Sequence, residues 1–148
     1  MRDTHPSSVI VVRAADSSDH AWLRTLEEFP WSDVTDDRAL TPGIHLIAHD
    51  THSGLRVGAL TAADNGDWIE LTHVLVERVA RRRGVGRELA VQLSESARQR
   101  GRQRILLEVR QDNEPAIRLY ESLGYAEFHR RAGYYADGTT AIEMELRL

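Results

Sequence analysis

Residues 68–109 leave this chain the fewest options. "WIELTHVLV" (residues 68–76) is an apolar-rich run of strand length, and "ILLEV" (105–109) is a buried-type strand interrupted only by Glu108. Between them Val85, Leu89, Leu93 and Ala97 recur every four residues, the stripe of a buried helix, and Gly101 supplies its stop. A strand, a long helix and a second strand in one sheet imply parallel pairing and a right-handed crossover. The centre of the fold is therefore expected to be a β-α-β unit around which the rest packs.

The flanks read differently. "VIVVR" (9–13) is a short β-branched strand. A helix is expected over 16–28, with Asp16, Ser17 or Ser18 as its cap and Trp22, Leu23 and Leu26 as its stripe, ended by Pro30. Ser32 or Asp33 starts a second short helix reaching about Leu40, which Pro42 and Gly43 break. Residues 44–50 and 55–63 form a hairpin about "THSG", and Asn65-Gly66 signals a type I′ turn into the strand at 68. Asp112 or Asn113 caps another helix, with Pro115 in its first turn and Gly124 at its end. Residues 125–131 and 140–148 close the chain as two strands. The expectation is one α/β domain over residues 1–148. It has a mixed sheet of about seven strands with four helices, antiparallel in the N-terminal half and parallel at the crossover.

The 148 residues are 41% apolar, enough for a core, and the net charge of −4 gives no case for nucleic acid or an anionic membrane. Positive charge is instead concentrated: residues 77–88 hold five arginines against two glutamates. The absence of cysteine excludes disulfides, thiolate metal sites and a cysteine nucleophile, and it fits a reducing compartment. No N-terminal apolar leader and no run of 18 apolar residues is present, so a cytoplasmic protein is expected, monomeric or weakly dimeric. His45, His49 and His52 alternate along the first hairpin, but His45 and His49 would stand about 13 Å apart on a strand, and no metal is expected.

The concentrated charge lies at the strand-to-helix junction, "RRRGVGR" (81–87). Gly84 and Gly86 remove Cβ atoms where the chain turns, which lets backbone N–H groups converge at a helix N-terminus. That end carries a partial positive charge, and flanking arginines add charge-assisted bonds; together these suit a di-anion such as a pyrophosphate. A P-loop would need a lysine, and the chain has none. A dinucleotide fingerprint would need a third glycine where Leu89 stands.

What stands there, R-x-x-G-x-G from Arg81 to Gly86, resembles the acetyl-CoA pyrophosphate loop of the GCN5-related N-acetyltransferase superfamily. "LEVRQDNEPAIRLYESLGY" (107–125) resembles the second half of that superfamily's acetyl-CoA site. With "EEFPWSD" (27–33) and "RRAGYYADG" (130–138), the chain more narrowly resembles the bacterial ribosomal-protein-alanine N-acetyltransferases. The resemblance implies transfer of acetyl from acetyl-CoA to an amine, without metal. The acceptor it implies is the N-terminal α-amine of a protein such as a small-subunit ribosomal protein. A small-molecule amine, a protein lysine, or a non-catalytic coenzyme-A-binding module are the alternatives.

Several residues acquire roles on that footing. Val74, Leu75 and Val76 would offer backbone groups to the pantetheine arm. Arg81, Arg82, Arg83, Gly84, Val85, Gly86 and Arg87 would hold the diphosphate, and Asn113 and Tyr120 the second half of the cofactor. With no cysteine, direct attack in a ternary complex is the mechanism. An α-amine of pKa about 7.7–8.0 is already roughly one-tenth neutral at pH 7, so a modest base suffices. Glu108 is the first choice, its apolar neighbours raising its pKa, unless it is spent on an ion pair with Arg104 or Arg110. Glu70 or His73 could share that role. Tyr120 would protonate the leaving thiolate. Phe29, Trp31, Glu70, Tyr134 and Tyr135 would line the acceptor groove, and Glu27, Glu28, Asp33, Asp36 and Asp37 would give its rim an acidic character.

Overall fold

The computed structural model describes residues 9–26 and 43–148. The expected short helix after Ser32, together with Phe29, Trp31 and the acidic residues of 27–37, lies outside them. Among the described residues seven strands form one sheet in the order β1-β2-β3-β4-β5-β7-β6. The strands are β1 (Ile10–Ala14), β2 (Gly43–Asp50), β3 (Arg56–Asp64), β4 (Trp68–Val76), β5 (Arg104–Arg110), β6 (Ala126–Arg131) and β7 (Ala141–Arg147). All neighbours are antiparallel except β4 and β5, which run parallel. The mixed sheet read from the sequence is the one observed.

The parallel pair is joined by helix α2 (Val85–Gln99), whose Val85, Leu89, Leu93 and Ala97 are all at most 1% exposed. Their four-residue spacing puts them on one stripe, which packs on Leu60, Ala62, Ile69 and Ile105 of the sheet. Gly58 belongs to this contact: a Cβ there would stand 2.8 Å from Val85 Cγ1. At the far end Gly101 takes φ +73°, and the Gly101 N–H→Arg98 O and Arg102 N–H→Ala97 O bonds close a Schellman motif. Helix α3 (Glu114–Ser122) packs at the edge of the same core through Ala116, Ile117 and Tyr120.

The opposite sheet face is covered near its N-terminal end by helix α1 (His20–Leu23), where Leu23 and Leu26 pack on Ile47 and Ala59. The longer helix expected from residue 16 is here a 3-10 turn (Ser17–Asp19) followed by this single α-turn. Asp16 and Asp19 close a capping box over the turn. Asp19, fully buried, then takes bonds from both Arg13 and Arg56. That ion cluster holds the start of the helix in the tighter geometry.

The Asn65-Gly66 turn also departs from expectation. Asn65 N–H bonds Trp68 O, so Gly66 and Asp67 are the two loop residues. Only Gly66 has positive φ, at +94°. A type I′ turn needs positive φ at both loop residues; glycine at the first alone is the type II′ pattern.

Candidate active site

β4 and β5 pair only from Trp68 to Leu71, against Arg104 to Leu107. Beyond that point β4 follows β3 to Val76 and β5 follows β7 to Arg110. The split has a local cause. Thr61 pairs with His73 and Ala62 with Leu71, which makes Thr72 an extra residue in β4, and its Oγ1 donates to the Thr61 carbonyl at 3.0 Å. Such a bulge bends the strand and increases its twist. A cavity of about 280 Å³ opens in the fork.

Glu108 is the first residue of β5 past the last β4–β5 pair. It lines the fork together with Val74, Asn113, Tyr120 and Tyr135. It also lines a second cavity, of about 260 Å³, with Trp68, Glu70, Phe128, Arg131 and Glu143. Glu108 therefore stands where the two meet. Burial raises its pKa, a hydrogen bond with Glu143 raises it further, and Arg131 and Tyr134 pull the other way. Arg131 Nη1 is 3.9 Å away. Arg104 is engaged with Glu145, and Arg110 with Asp112 and Asp137, so neither takes Glu108 up.

Asn113 is the cap of α3, its Oδ1 accepting from Ala116 N–H at 3.3 Å. The helix ends at Gly124, φ +99°, where Tyr125 N–H bonds Tyr120 O. In this Schellman closure the rings of Tyr120 and Tyr125 meet edge-on, 5.5 Å apart. The helix stop thus aims Tyr120 at the fork. Burial pushes its pKa above the ordinary tyrosine value, and the hydroxyl stays protonated.

At the head of α2 the first helical bond runs from Glu88 N–H to Gly84 O, which leaves the amides of Val85, Gly86 and Arg87 outside the ladder. Gly84, at φ +80°, gives no side-chain cap. A Cβ on Gly84 would meet nothing, and one on Gly86 would meet Leu119 Cδ2 at 3.6 Å and Val76 Cγ2 at 3.8 Å, ordinary contacts. Packing within the chain does not call for glycine at 86, so what the missing Cβ leaves open is an approach to the amides from outside. These donors fit a diphosphate.

The arginines of this loop are not equivalent. Arg83 Nη2 bonds Asp50 Oδ2 at 2.7 Å and ties the loop to the β2–β3 turn. Arg81 Nε reaches the Val76 carbonyl at 3.3 Å, and Arg87 Nη1 the Ser122 hydroxyl at 3.1 Å. Arg82 is exposed and sits at φ +65°, a left-handed conformation uncommon outside glycine. Val74 faces the fork, whereas the side chain of Leu75 packs on the α1 side of the sheet.

Tyr134 and Tyr135 lie edge-on at 5.2 Å in the loop between β6 and β7. The Arg110 guanidinium sits 4.7 Å from the Tyr135 ring and bonds Asp137 and Thr139 Oγ1; that of Arg131 lies 5.4 Å from the Tyr134 ring. Two strand arginines thereby fasten the tyrosine loop beside Glu108. Glu70 lies on the same side as Glu108, in the second cavity, and His73 in the fork.

Arg131 and Glu143 were not among the residues marked by sequence. The alternation in "AIEMEL" (141–146), with Glu143 set between buried Ile142 and Met144, is the signal for Glu143; Arg131 carries none of its own and is placed by the pairing of β6 with β7. His45 and His49 do not converge on a metal site: His45 contacts Thr61 and His49 accepts from Arg13 Nε. Among the described residues no helix is long and apolar enough to cross a membrane.

Residues 14–125 match the acetyltransferase (GNAT) family. The chain is 35% identical over 112 residues to a ribosomal protein bS18 alanine N-acetyltransferase of Salmonella typhimurium, covering 72% of each. It is 28% identical over 127 residues to N-alpha-acetyltransferase 30 of Schizosaccharomyces pombe, covering 86% of this chain and 74% of that one. The crystal structure of the ribosomal-protein-S18-alanine N-acetyltransferase from Escherichia coli superposes with a TM-score of 0.76 at 27% identity, over 94% of both chains.

Proposed function

This chain belongs to the acetyltransferase (GNAT) family, whose members draw acetyl from acetyl-CoA, and from that premise we propose that it acetylates the N-terminal α-amine of a protein. The observation that carries the reading is the position of Glu108, shared by the fork and the second cavity. A donor held in one and an amine entering from the other would meet at its carboxylate. The acceptor the reading favours is an N-terminal alanine of a ribosomal protein, by likeness to the Salmonella relative.

Acetyl-CoA supplies a thioester carbonyl and a thiol leaving group. The amides of Val85, Gly86 and Arg87 hold the diphosphate, with the exposed Arg82 as a further cation and Arg83 bracing the loop from behind. Val74 and Asn113 line the path of the arm between loop and fork. Glu108 accepts the proton from the amine nitrogen; its raised pKa makes it a stronger base than an ordinary carboxylate. Tyr120 donates its hydroxyl proton to sulfur. Its own pKa is pushed up by burial, but the same desolvation would raise a thiol's in the same direction, so the two remain comparable. Tyr134, Tyr135 and Glu70 flank the acceptor, and Phe29 and Trp31 are assigned to the same groove by resemblance.

The test is to incubate the protein with acetyl-CoA and a library of short peptides and read by mass spectrometry which termini gain acetyl. N-terminally free peptides, alanine first among them, are expected to react. Acetylation confined to lysine side chains, or to small amines supplied in parallel, overturns the assignment of the acceptor.

A further inference from the structure

Glu108 has a partner that neither the chemistry above nor the family likeness assigns. On the neighbouring strand Glu143 is its direct Cα partner, so the two side chains project from the same sheet face. The Glu143 side chain is 13% exposed and that of Glu108 is 28%. Arg131, from the edge strand β6, bonds Glu143 Oε1 through Nε at 2.9 Å and stands 3.9 Å from Glu108 Oε1. A single guanidinium thus serves two carboxylates and is closer to the one that does not face the fork.

Other charged and titratable groups around Glu108 are few. β4 contributes Glu70 and His73, α3 contributes Tyr120, and the loop after β6 contributes Tyr134 and Tyr135. Arg110, two residues along β5, is bound by Asp112 and Asp137. His129 pairs with Glu143 on β6 and is exposed. Among the described arginines around it, Arg131 is the one that stands within 4 Å of Glu108.

We propose that Glu143 and Arg131 are positioning residues for Glu108, the first accepting a hydrogen bond from its protonated carboxyl and the second attracting its ionised form. The proposal rests on Glu108 as the base. During transfer the amine nitrogen bonds the carbonyl carbon and the carbon–sulfur bond breaks. One proton passes from nitrogen to Glu108, and one from Tyr120 to sulfur. Glu143 then holds the proton Glu108 has gained, and Arg131 favours its release to water, from which Tyr120 takes up the proton it gave to sulfur. Without Glu143 the carboxylate would be a weaker base, and without Arg131 it would give up its proton less readily, so the two partners act on Glu108 with opposite sign.

The proposal requires the two partners to act with opposite sign, which a merely structural role does not. Titrating the Glu108 carboxyl by carbon-13 NMR, the Glu143→Gln variant is expected to move its midpoint down by about half a unit, and Arg131→Gln to move it up by a similar amount. Arg131→Lys, which keeps the charge, should stay close to wild type. The acid limb of kcat against pH should follow the same order. Shifts of the same sign in both variants, or none in either, overturn the proposal. Glutamine nearly matches glutamate in shape, and β6 is an exposed edge, so both variants should fold. The NMR midpoints need no acceptor, so a failure here is separate from a failure to find the peptide substrate.

Discussion

The carboxylates of the N-terminal meander and those around the fork are treated in opposite ways. Asp19, Asp50 and Asp64 are nearly removed from water, and each is met by arginine: Asp19 by Arg13 and Arg56, Asp50 by Arg83, Asp64 by Arg100 and Arg102. Burial resists the charge on Asp64, but bonds from Arg102, the Gly66 amide and Arg100 outweigh it and hold its pKa at about 2. Asp19 is likewise held well below the usual range, by Arg13, the Asp16 amide and Arg56 against its own burial. Glu108 is instead desolvated beside another carboxylate, with its nearest cation shared, and its pKa rises. Fully matched charges lock turns and helix starts, while an incompletely matched one remains able to take up a proton.

The sharpest way to break this comparison is to neutralise one member of each set. Glu108→Gln should lower kcat by about 10² or more at pH 7.5, the contribution expected of a general base. It should do so without loss of stability. A raised pKa means that Glu108 contributes stability fully below its unfolded value, about 4.3, and loses that contribution as pH rises through its folded value. The Tm of Glu108→Gln at pH 7.5 should therefore equal or exceed wild type, and the difference should vanish near pH 4. A large drop in Tm would place Glu108 among the structural carboxylates.

Asp19→Asn should do the reverse. Removing one partner of a buried ion cluster costs about 3 kcal/mol, readable by urea denaturation at pH 7, with acetyl-CoA affinity unchanged. Here the folded pKa is depressed, so the stabilisation is complete above the unfolded value of about 3.9 and is lost as pH falls through the folded one. The gap between wild type and variant should narrow on acidification. A uniform gap down to pH 3 would mean that packing rather than charge holds Asp19.

The sequence carried the sheet and the helix ends, because the signals for them are local. The four-residue stripe of α2, the glycines at 101 and 124 and the cap at Asn113 each act within a turn of their own position. The length of α1 is not set locally: Asp19 answers to Arg56, far away in the chain. The fork was not legible from the residues alone: no glycine or proline marks the bulge at Thr72, which shows only in the register against β3. Nor could three consecutive arginines be ranked. Arg83 differs from Arg82 in that Asp50 lies within its reach, while Arg82 takes a left-handed backbone. Glu143 and Arg131 needed the pairing of β5 with β7 and of β7 with β6 before they could be placed beside Glu108.

The measurement that bears most directly on the account is a calorimetric titration of acetyl-CoA into wild type and Gly86→Asp. Aspartate in the first turn favours a helix electrostatically, and its Cβ meets only ordinary contacts, so Tm should hold or rise. The same carboxylate set among the amides of Val85, Gly86 and Arg87 would repel a diphosphate at a cost of several kcal/mol, so affinity should fall by about 100-fold or more. Undiminished affinity in a folded Gly86→Asp protein would show that the coenzyme is not held at the head of α2.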